Sequence, residues 1–301
     1  MIRVIGAECM QRVAAKGRLK FIPPQLPRLV EEPPVGDEWI HEIKYDGYRT
    51  QVIIDWDGAR AYTKTGVDWT SRYWPIVAAA ETLGARDAMI DGEVIAPTAD
   101  GSPDFHALRS AMAWNAERLA FVAFDLLHLN GKDLRPLPAV ERRAMLWDLV
   151  KPATGAIQFS QHVEGSGAEF FKGVERLGLE GMVSKRRGAP YRSGESDAWL
   201  KIKCYEFSEL ELLGVKRVPG KPPMALMGQG GKYAGSAFIT LPKDIRERLW
   251  KRVQAGREAP EGTPKAIAGV EWLKPGIKAR VKHLRGEAKL RHASVKGIVE
   301  D

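Results

Sequence analysis

Cysteine is almost absent from this sequence: Cys9 and Cys204 are the only two in 301 residues. They cannot build a disulfide-dense scaffold, and neither has a partner at C-x-x-C or zinc-finger spacing, so a reducing cytosol and a cytoplasmic location are expected. Long apolar runs are missing as well. The start lacks the uninterrupted apolar stretch of a secretory signal, and no later run approaches the ~18 residues needed to cross a bilayer, so no membrane partner is expected. The basic segment from Cys9 to Lys20 reads as a short solvated helix or a frayed terminus. No long internal repeat is evident. The glycine-rich piece Gly228, Gly230 and Gly231 lacks the Gly-Lys-Ser or Gly-Lys-Thr ending and the strand-to-helix context of a phosphate loop, and reads as a turn.

What is present is a chain with 44% hydrophobic and 28% charged residues, enough for a sizeable core and two domains. The net charge of +8 is unevenly placed. From Glu206 to Asp301 there are 19 basic and 11 acidic residues, whereas the first 205 residues carry 27 of each sign. A basic module appended to a larger neutral one points to a polyanionic partner.

Prolines 23, 24, 27, 33 and 34 predict an extended approach that wraps a domain surface. Strands are predicted at Trp39 to Lys44, Arg49 to Trp56, Ala59 to Thr63, Ala88 to Ile95, Leu119 to Leu127, Gly181 to Lys185 and Trp199 to Lys203, with Asp57-Gly58 as a hairpin turn. Helical patterns cover Tyr73 to Leu83, Phe105 to Ala113, Arg142 to Leu149 and Ala168 to Leu177. Strands with inserted helices argue for an α+β domain over residues 1–205 rather than a regular βαβ repeat. The charge balance changes near Tyr205, and residues 206–301 read as a small, mostly β module. Its strands are Glu209 to Arg217, Gly235 to Leu241 and Ala279 to Leu284, and its helix is Lys243 to Val253. Trp272 is expected in its core.

The densest polar constellation runs from His41 to Arg49. A lysine at a strand end, followed by a glycine that permits a tight return, can present its amine to a substrate. An amine attacks only when deprotonated, so Lys44 would need a cationic neighbour or desolvation, and otherwise is an ordinary solvated lysine. Lys201 and Lys203 are candidate neighbours, because alternation with Leu200 and Ile202 puts both on one strand face. Asp91-Gly92-Glu93 and Glu180-Gly181 could display carboxylates at a cleft edge or simply form turns. Phe124 can offer a flat surface to a base, although a phenylalanine in so hydrophobic a strand is more often core. His41 adjoins the constellation with a supporting or surface role.

Taken in order, Glu42-Ile43-Lys44-Tyr45-Asp46-Gly47-Tyr48-Arg49, Tyr62-Thr63-Lys64-Thr65-Gly66, Asp91-Gly92-Glu93, Phe124-Asp125-Leu126-Leu127, Glu180-Gly181-Met182-Val183-Ser184-Lys185 and Trp199-Leu200-Lys201-Ile202-Lys203 resemble the motifs of ATP-dependent DNA ligases. Compact bacterial ligases and end-joining ligase modules are the nearest match. The resemblance implies a nucleotidyltransferase domain followed by an oligonucleotide-binding β-barrel. It also implies that Lys44 attacks the ATP α-phosphorus and stores AMP. Glu42 then reads or holds the adenosine, Phe124 stacks on the base, and Arg49, Lys201 and Lys203 contact ribose or phosphate. Glu93 and Glu180 support Mg²⁺, with Mn²⁺ as an alternative. AMP passes to the 5′-phosphate of nicked duplex DNA, and the 3′-hydroxyl displaces it to seal the strand.

Lys64 stands where many of these ligases have arginine, which keeps the charge and loses the bidentate fork. The tail from Leu290 to Asp301 resembles the family's terminal motif but stops before its lysine. Basic residues Arg280, Lys282, Arg285, Lys289, Arg291 and Lys296, with Lys64, are the candidate DNA contacts. No large N-terminal clamping domain is expected, so repair or end-joining partners would assist a monomer. A hinge is expected at Tyr205 to Ser208. An RNA ligase, a GTP-using capping guanylyltransferase and a DNA-binding scaffold without catalysis are the alternatives.

Overall fold

The computed structural model describes residues 17–98, 104–151, 155–252, 269–273, 276–284 and 289–299. In chain order it forms β1 (Gln25–Leu29), β2 (Trp39–Ile43), β3 (Tyr48–Asp55), β4 (Gly58–Thr63), α1 (Trp74–Glu81), β5 (Ala88–Ile95), α2 (Phe105–Trp114), β6 (Ala120–Leu129), β7 (Lys132–Asp133), α3 (Ala139–Val150), β8 (Ile157–Phe159) and β9 (His162–Glu164). There follow α4 (Gly167–Arg176), β10 (Gly181–Arg186), β11 (Gly194–Lys203), β12 (Tyr205–Lys216), β13 (Met224–Gln229), β14 (Lys232–Ile239), α5 (Lys243–Arg252), β15 (Val270–Trp272), β16 (Lys278–Leu284) and β17 (Ser294–Val299). Two compact units result: residues 1–26, 46–161 and 186–198 form the first, and 27–45, 162–185 and 199–301 the second.

The first unit is built on a sheet ordered β4-β3-β5-β6-β7, with β8 added to β6. Its central strands are largely buried on both faces, although β5 carries Asp91 and Glu93 and β6 carries Asp125. Ile76 and Ala80 of α1 and Leu146 and Val150 of α3 pack on this sheet with Val52, Ile90, Phe121 and Leu126. At ~25 cal/mol per Å² each such side chain stabilises by about 1.5–3 kcal/mol when fully buried.

The second unit holds a sheet ordered β1-β11-β10-β2-β9, in which β1 and β11 each begin in the first unit. Proline-bearing β1 takes the edge, where a missing N–H does no harm. Ser166 caps α4 by accepting the Glu169 amide at 3.3 Å, the first half of a Ser-x-x-Glu capping pattern. Phe170, Phe171 and Val174 then pack on Met182, Ile202 and Cys204.

The remaining strands close on themselves. β12, β13, β14, β17 and β16 pair in that order, and β16 returns to β12. β14 and β17 are parallel and the other joins antiparallel, which is the topology of an oligonucleotide-binding barrel. Val215, Met227, Ala237, Val281 and Val295 fill it. Gly230 and Gly231, with φ of 56° and 76°, form the β13–β14 hairpin turn and not a phosphate loop. One expectation is corrected: Leu273 enters the barrel core, while Trp272 is half-buried against Gly214 of β12, where it pairs in register.

Candidate active site

Four consecutive residues of β2, from Trp39 to Glu42, are buried, so this strand is enclosed on both faces. Lys44 lies just past its end. The Lys44 amide donates to the Gly181 carbonyl at 2.9 Å, and the Cys204 amide donates to the Glu180 carbonyl at 2.9 Å. These two bonds bring the ends of β2, β10 and β11 together. Gly181 is required there: a Cβ would lie 2.1 Å from the Ile202 carbonyl oxygen.

The consequence is a compact charge cluster. Lys44 Nζ donates to Glu180 Oε2, with the lysine side chain 23% and the carboxylate 9% exposed. Lys203 Nζ lies 3.4 Å from the other Glu180 oxygen. Burial lowers the Lys203 pKa, Glu180 opposes that, and Lys44 and Lys201 add to it. Lys201 lies two residues before Lys203, opposite Val183 as Lys203 is opposite Gly181, so the two lysines share a strand face as expected.

Glu42 is buried and pairs with Lys185 at 2.8 Å. Lys185 in turn lies over the ring of Trp199, its direct cross-strand neighbour, at 4.3 Å. His41 is buried, not a surface group, with Nδ1 2.9 Å from Ser184 Oγ and Nε2 3.3 Å from the Gly165 carbonyl. A carbonyl only accepts, so Nε2 carries the proton and Nδ1 accepts from Ser184. Burial pulls the His41 pKa below its ordinary value, against the Gly165 bond. None of these second contacts was legible from the sequence.

The first unit places Arg49, Phe124 and Glu93 on its sheet. Gly47 lets the chain turn against β5, since a Cβ there would lie 2.2 Å from the Val94 carbonyl oxygen. Arg49 is directly opposite Glu93. Its guanidinium donates in a fork to Asp91, from Nε at 3.0 Å and Nη2 at 2.6 Å, and from Nη1 to the Gln25 carbonyl at 2.6 Å. Burial opposes the Arg49 charge, yet the Asp91 carboxylate outweighs it and raises the pKa. Tyr191 OH also donates to Asp91 at 2.7 Å and accepts the Gln25 amide at 2.9 Å. Burial first, and then Asp91, drives the Tyr191 pKa up.

Phe124 departs from the core placement that composition suggests. Asp91 pairs with Asp125 and Gly92 with Ala123, so Phe124 is the extra residue of a β-bulge. A bulge re-aims a side chain, and Phe124 is half-buried beneath the Arg49 guanidinium, 5.2 Å from the ring centroid. Two buried arginines of α3 fix the bulge. Arg142 makes a bidentate pair with Asp125, both contacts at 2.8 Å, and Arg143 Nη1 donates to the Phe124 carbonyl at 2.8 Å.

Of the expected DNA contacts, Lys64 is exposed on a tight turn closed by Gly66 N to Thr63 O at 2.8 Å. Arg280, Lys289 and Lys296 are exposed on the barrel, and Lys282 and Arg291 are half-buried. Arg285 lies outside the described residues. No helix among the described residues is long and apolar enough to cross a membrane.

A lysine held at a strand end by a carboxylate and flanked by further cations thus lies on an α+β frame that is followed by a closed barrel. A family model described as the ATP dependent DNA ligase domain matches residues 28–203. The chain belongs to the ATP-dependent DNA ligase family. It is 33% identical over 302 residues to the multifunctional non-homologous end joining protein LigD of Pseudomonas aeruginosa, covering 94% of this chain and 36% of that protein. Identity to the LigD of Mycobacterium tuberculosis is 28%, covering 88% of this chain and 37% of the relative. The chain thus spans little more than a third of the length of these curated relatives. Among solved structures it resembles the ligase domain from M. tuberculosis LigD, with a TM-score of 0.55, 27% identity, and coverage of 92% and 94% of the two chains. Mycobacterial DNA ligase D complexed with ATP and MES is similar at a TM-score of 0.54 and 26% identity, covering 92% and 95%.

Proposed function

We propose that this chain seals nicked duplex DNA, using ATP to charge Lys44 with AMP. The observation that carries the reading is the Lys44–Glu180–Lys203 cluster, set at the strand ends of a chain that belongs to the ATP-dependent DNA ligase family. Lys44 Nζ, once it has lost its proton, attacks the α-phosphorus. The P–N bond forms as the bond to pyrophosphate breaks. Lys203 and Lys201 face the charge that develops on the transferring group, and Glu180 fixes the direction of the amine. Phe124 stacks on adenine, Arg49 reaches ribose or phosphate, and Glu42, held by Lys185, helps define the adenosine site. The AMP then passes to a 5′-phosphate, and the adjacent 3′-hydroxyl releases it as the strand is joined.

Mg²⁺ is the metal expected for this chemistry. Among the described residues no group of three His, Cys, Asp or Glu could hold a metal, but Mg²⁺ commonly binds one or two carboxylates together with substrate phosphates. Glu180 and Glu93 are the oxygen donors assigned to it, and Mn²⁺ suits the same chemistry. When bound, the ion would offset phosphate charge and polarise the reacting phosphoryl group. Residues 1–205 act as the adenylating domain and 206–301 as the DNA-binding barrel. End joining is the cellular setting suggested by the names of the LigD relatives, with a repair partner at the DNA end.

The test is incubation of wild type and Lys44→Ala with Mg²⁺ and labelled ATP or, separately, labelled GTP, followed by a nicked DNA or RNA duplex. Covalent label on wild type alone, stable to alkali and released by acid as a P–N bond requires, and adenylate-dependent joining of the DNA nick, are expected. No Lys44-dependent adenylate would sink the mechanism. Preference for GTP, or joining of the RNA nick alone, would redirect it to the capping or RNA-ligase alternative.

A further inference from the structure

On the outward face of the barrel, two cations of β16 lie over two aromatic rings of β12. Arg280 lies 4.6 Å from the Phe207 ring centroid and Lys282 Nζ lies 4.3 Å from that of Tyr205. Each cation reaches its aromatic across the diagonal of the ladder, because the direct pairs are Glu209 with Arg280 and Phe207 with Lys282. Phe207 is 52% exposed even with the guanidinium over it. An aromatic side chain this open on an antiparallel strand has no part in filling the barrel, whose interior is supplied by Leu210, Leu212, Ala279 and Val281.

The track begins beside the nucleophile. Tyr205 is two residues past Lys203, the Cys204 amide between them is bonded to the Glu180 carbonyl, and the Tyr205 phenol is shifted up by burial and by the Glu180 carboxylate. Farther along, the aromatics give way to Glu209 and Glu211 on β12, directly opposite Arg280 and Lys278, so the face becomes mixed in charge. The two rings therefore lie at the end of the face nearest Lys44. Residues two apart on a strand are ~6.7 Å apart, a step comparable with that between consecutive phosphates of a nucleic-acid strand.

We propose that the Tyr205–Lys282 and Phe207–Arg280 pairs hold two successive nucleotides of one strand of the duplex beside the nick. The cations take the phosphates, and the rings contact the sugar and base edges. This rests on the nick-sealing reading, and it adds an apolar, ring-dependent contribution to a surface assigned so far to phosphate contacts. Phosphate contacts release counterions and set the salt dependence of binding, whereas apolar contact by a ring does not. The two contributions are separable.

The experiment measures equilibrium binding of a nicked duplex by the full chain across a salt series, for wild type, Phe207→Ala, Phe207→Leu, Arg280→Ala and the Phe207/Arg280 double alanine variant. Lys44 adenylation is measured in parallel. Phe207→Ala is expected to weaken binding about tenfold at every salt concentration with the slope unchanged. Phe207→Leu should recover part of this, and Arg280→Ala should reduce the slope by about one contact. Adenylation stays at the wild-type rate in all four variants. Wild-type affinity in Phe207→Ala would overturn the proposal. So would a slope change equal to that of Arg280→Ala with no further loss in the double variant, since the ring would then only prop the guanidinium. A wild-type chain that forms no adenylate and binds no nicked DNA would overturn the parent reading along with it.

Discussion

Removing the Asp125 carboxylate tests whether the Phe124 bulge is held by a buried charge. The Asp125 and Arg142 side chains are 1% and 0% exposed. Arg142 makes two bonds to Asp125 and donates from Nη1 to the Leu137 carbonyl at 2.6 Å and the Ala189 carbonyl at 3.1 Å. Asp125→Ala leaves that guanidinium with two neutral acceptors and no counter-charge. Breaking a buried pair in this way costs about 3–5 kcal/mol, a large share of the ~5–15 kcal/mol that keeps a domain folded. Replacing both partners with apolar residues of similar size, as in Asp125→Leu with Arg142→Met, removes the isolated charge. It is expected to lie within about 2 kcal/mol of wild type. Urea denaturation followed by tryptophan fluorescence reads Asp125→Ala beside the four corners of a cycle, namely wild type, Asp125→Leu, Arg142→Met and their double, and the cycle gives a coupling of several kcal/mol. A loss below about 1 kcal/mol for Asp125→Ala, or singles that add up to the double, would refute the reasoning. Where Asp125→Ala remains folded, Phe124 loses its fixed aim, and the KM for ATP should rise more than kcat falls.

Glu180→Gln keeps the shape of the side chain but removes the charge that binds Lys44 and Lys203. The rate of labelled adenylate formation should fall about 100-fold, the scale of a small misplacement of a reacting group, and the Lys203 pKa should drop further. His41 is buried with a lowered pKa, so the folded chain binds its proton less readily than the unfolded chain does. Its contribution to stability is complete above about pH 6.5 and is lost as pH falls from there toward the folded pKa. Denaturant midpoints from pH 8 to 5 should decline in wild type, and His41→Gln should flatten that decline. Gly181→Ala drives a methyl group into the Ile202 carbonyl. A loss of about 1–3 kcal/mol is expected, with slower adenylation, measured by thermal melting beside the same labelling assay.

The strands are legible wherever a run is long and mostly apolar. Ala88–Ile95 was predicted without error, and Ala120–Leu129 differs from its predicted bounds only at the ends. β8, β9 and β15 escaped because each has three residues, too few for a period. β13 contains glycine at its bulge with β14, and β17 contains glycine and pairs with β14 in parallel, a long-range fact that no local window contains. The ligase-like motifs named the residues but not their supports. Arg142 and Arg143 look in sequence like charges on a solvated helix face, and only the fold shows them inserted beneath β6. Tyr191 belongs to no motif and is found only where its hydroxyl meets Asp91. Lys185 stands in sequence at the end of a motif, and its partner Glu42 lies on another strand.

The uneven charge has the same explanation as these missed supports. Residues 1–205 carry equal numbers of each sign, and the structure consumes many of them in pairs shielded from water: Arg49 with Asp91, Arg60 with Asp55, Arg142 with Asp125, Lys185 with Glu42, and Lys44 and Lys203 with Glu180. Neutrality there means charges committed to fixed geometry. On the barrel, Lys278, Arg280, Lys289 and Lys296 are exposed, where a cation is weakly held and adapts to a partner. A polyanion bound there should therefore show strong salt dependence, while adenylation, resting on shielded pairs, should respond little to the same salt. Measuring both rates in one salt series separates the two kinds of charge. Equal sensitivity in the two steps would mean that the pairs around Lys44 are as accessible to ions as the barrel surface.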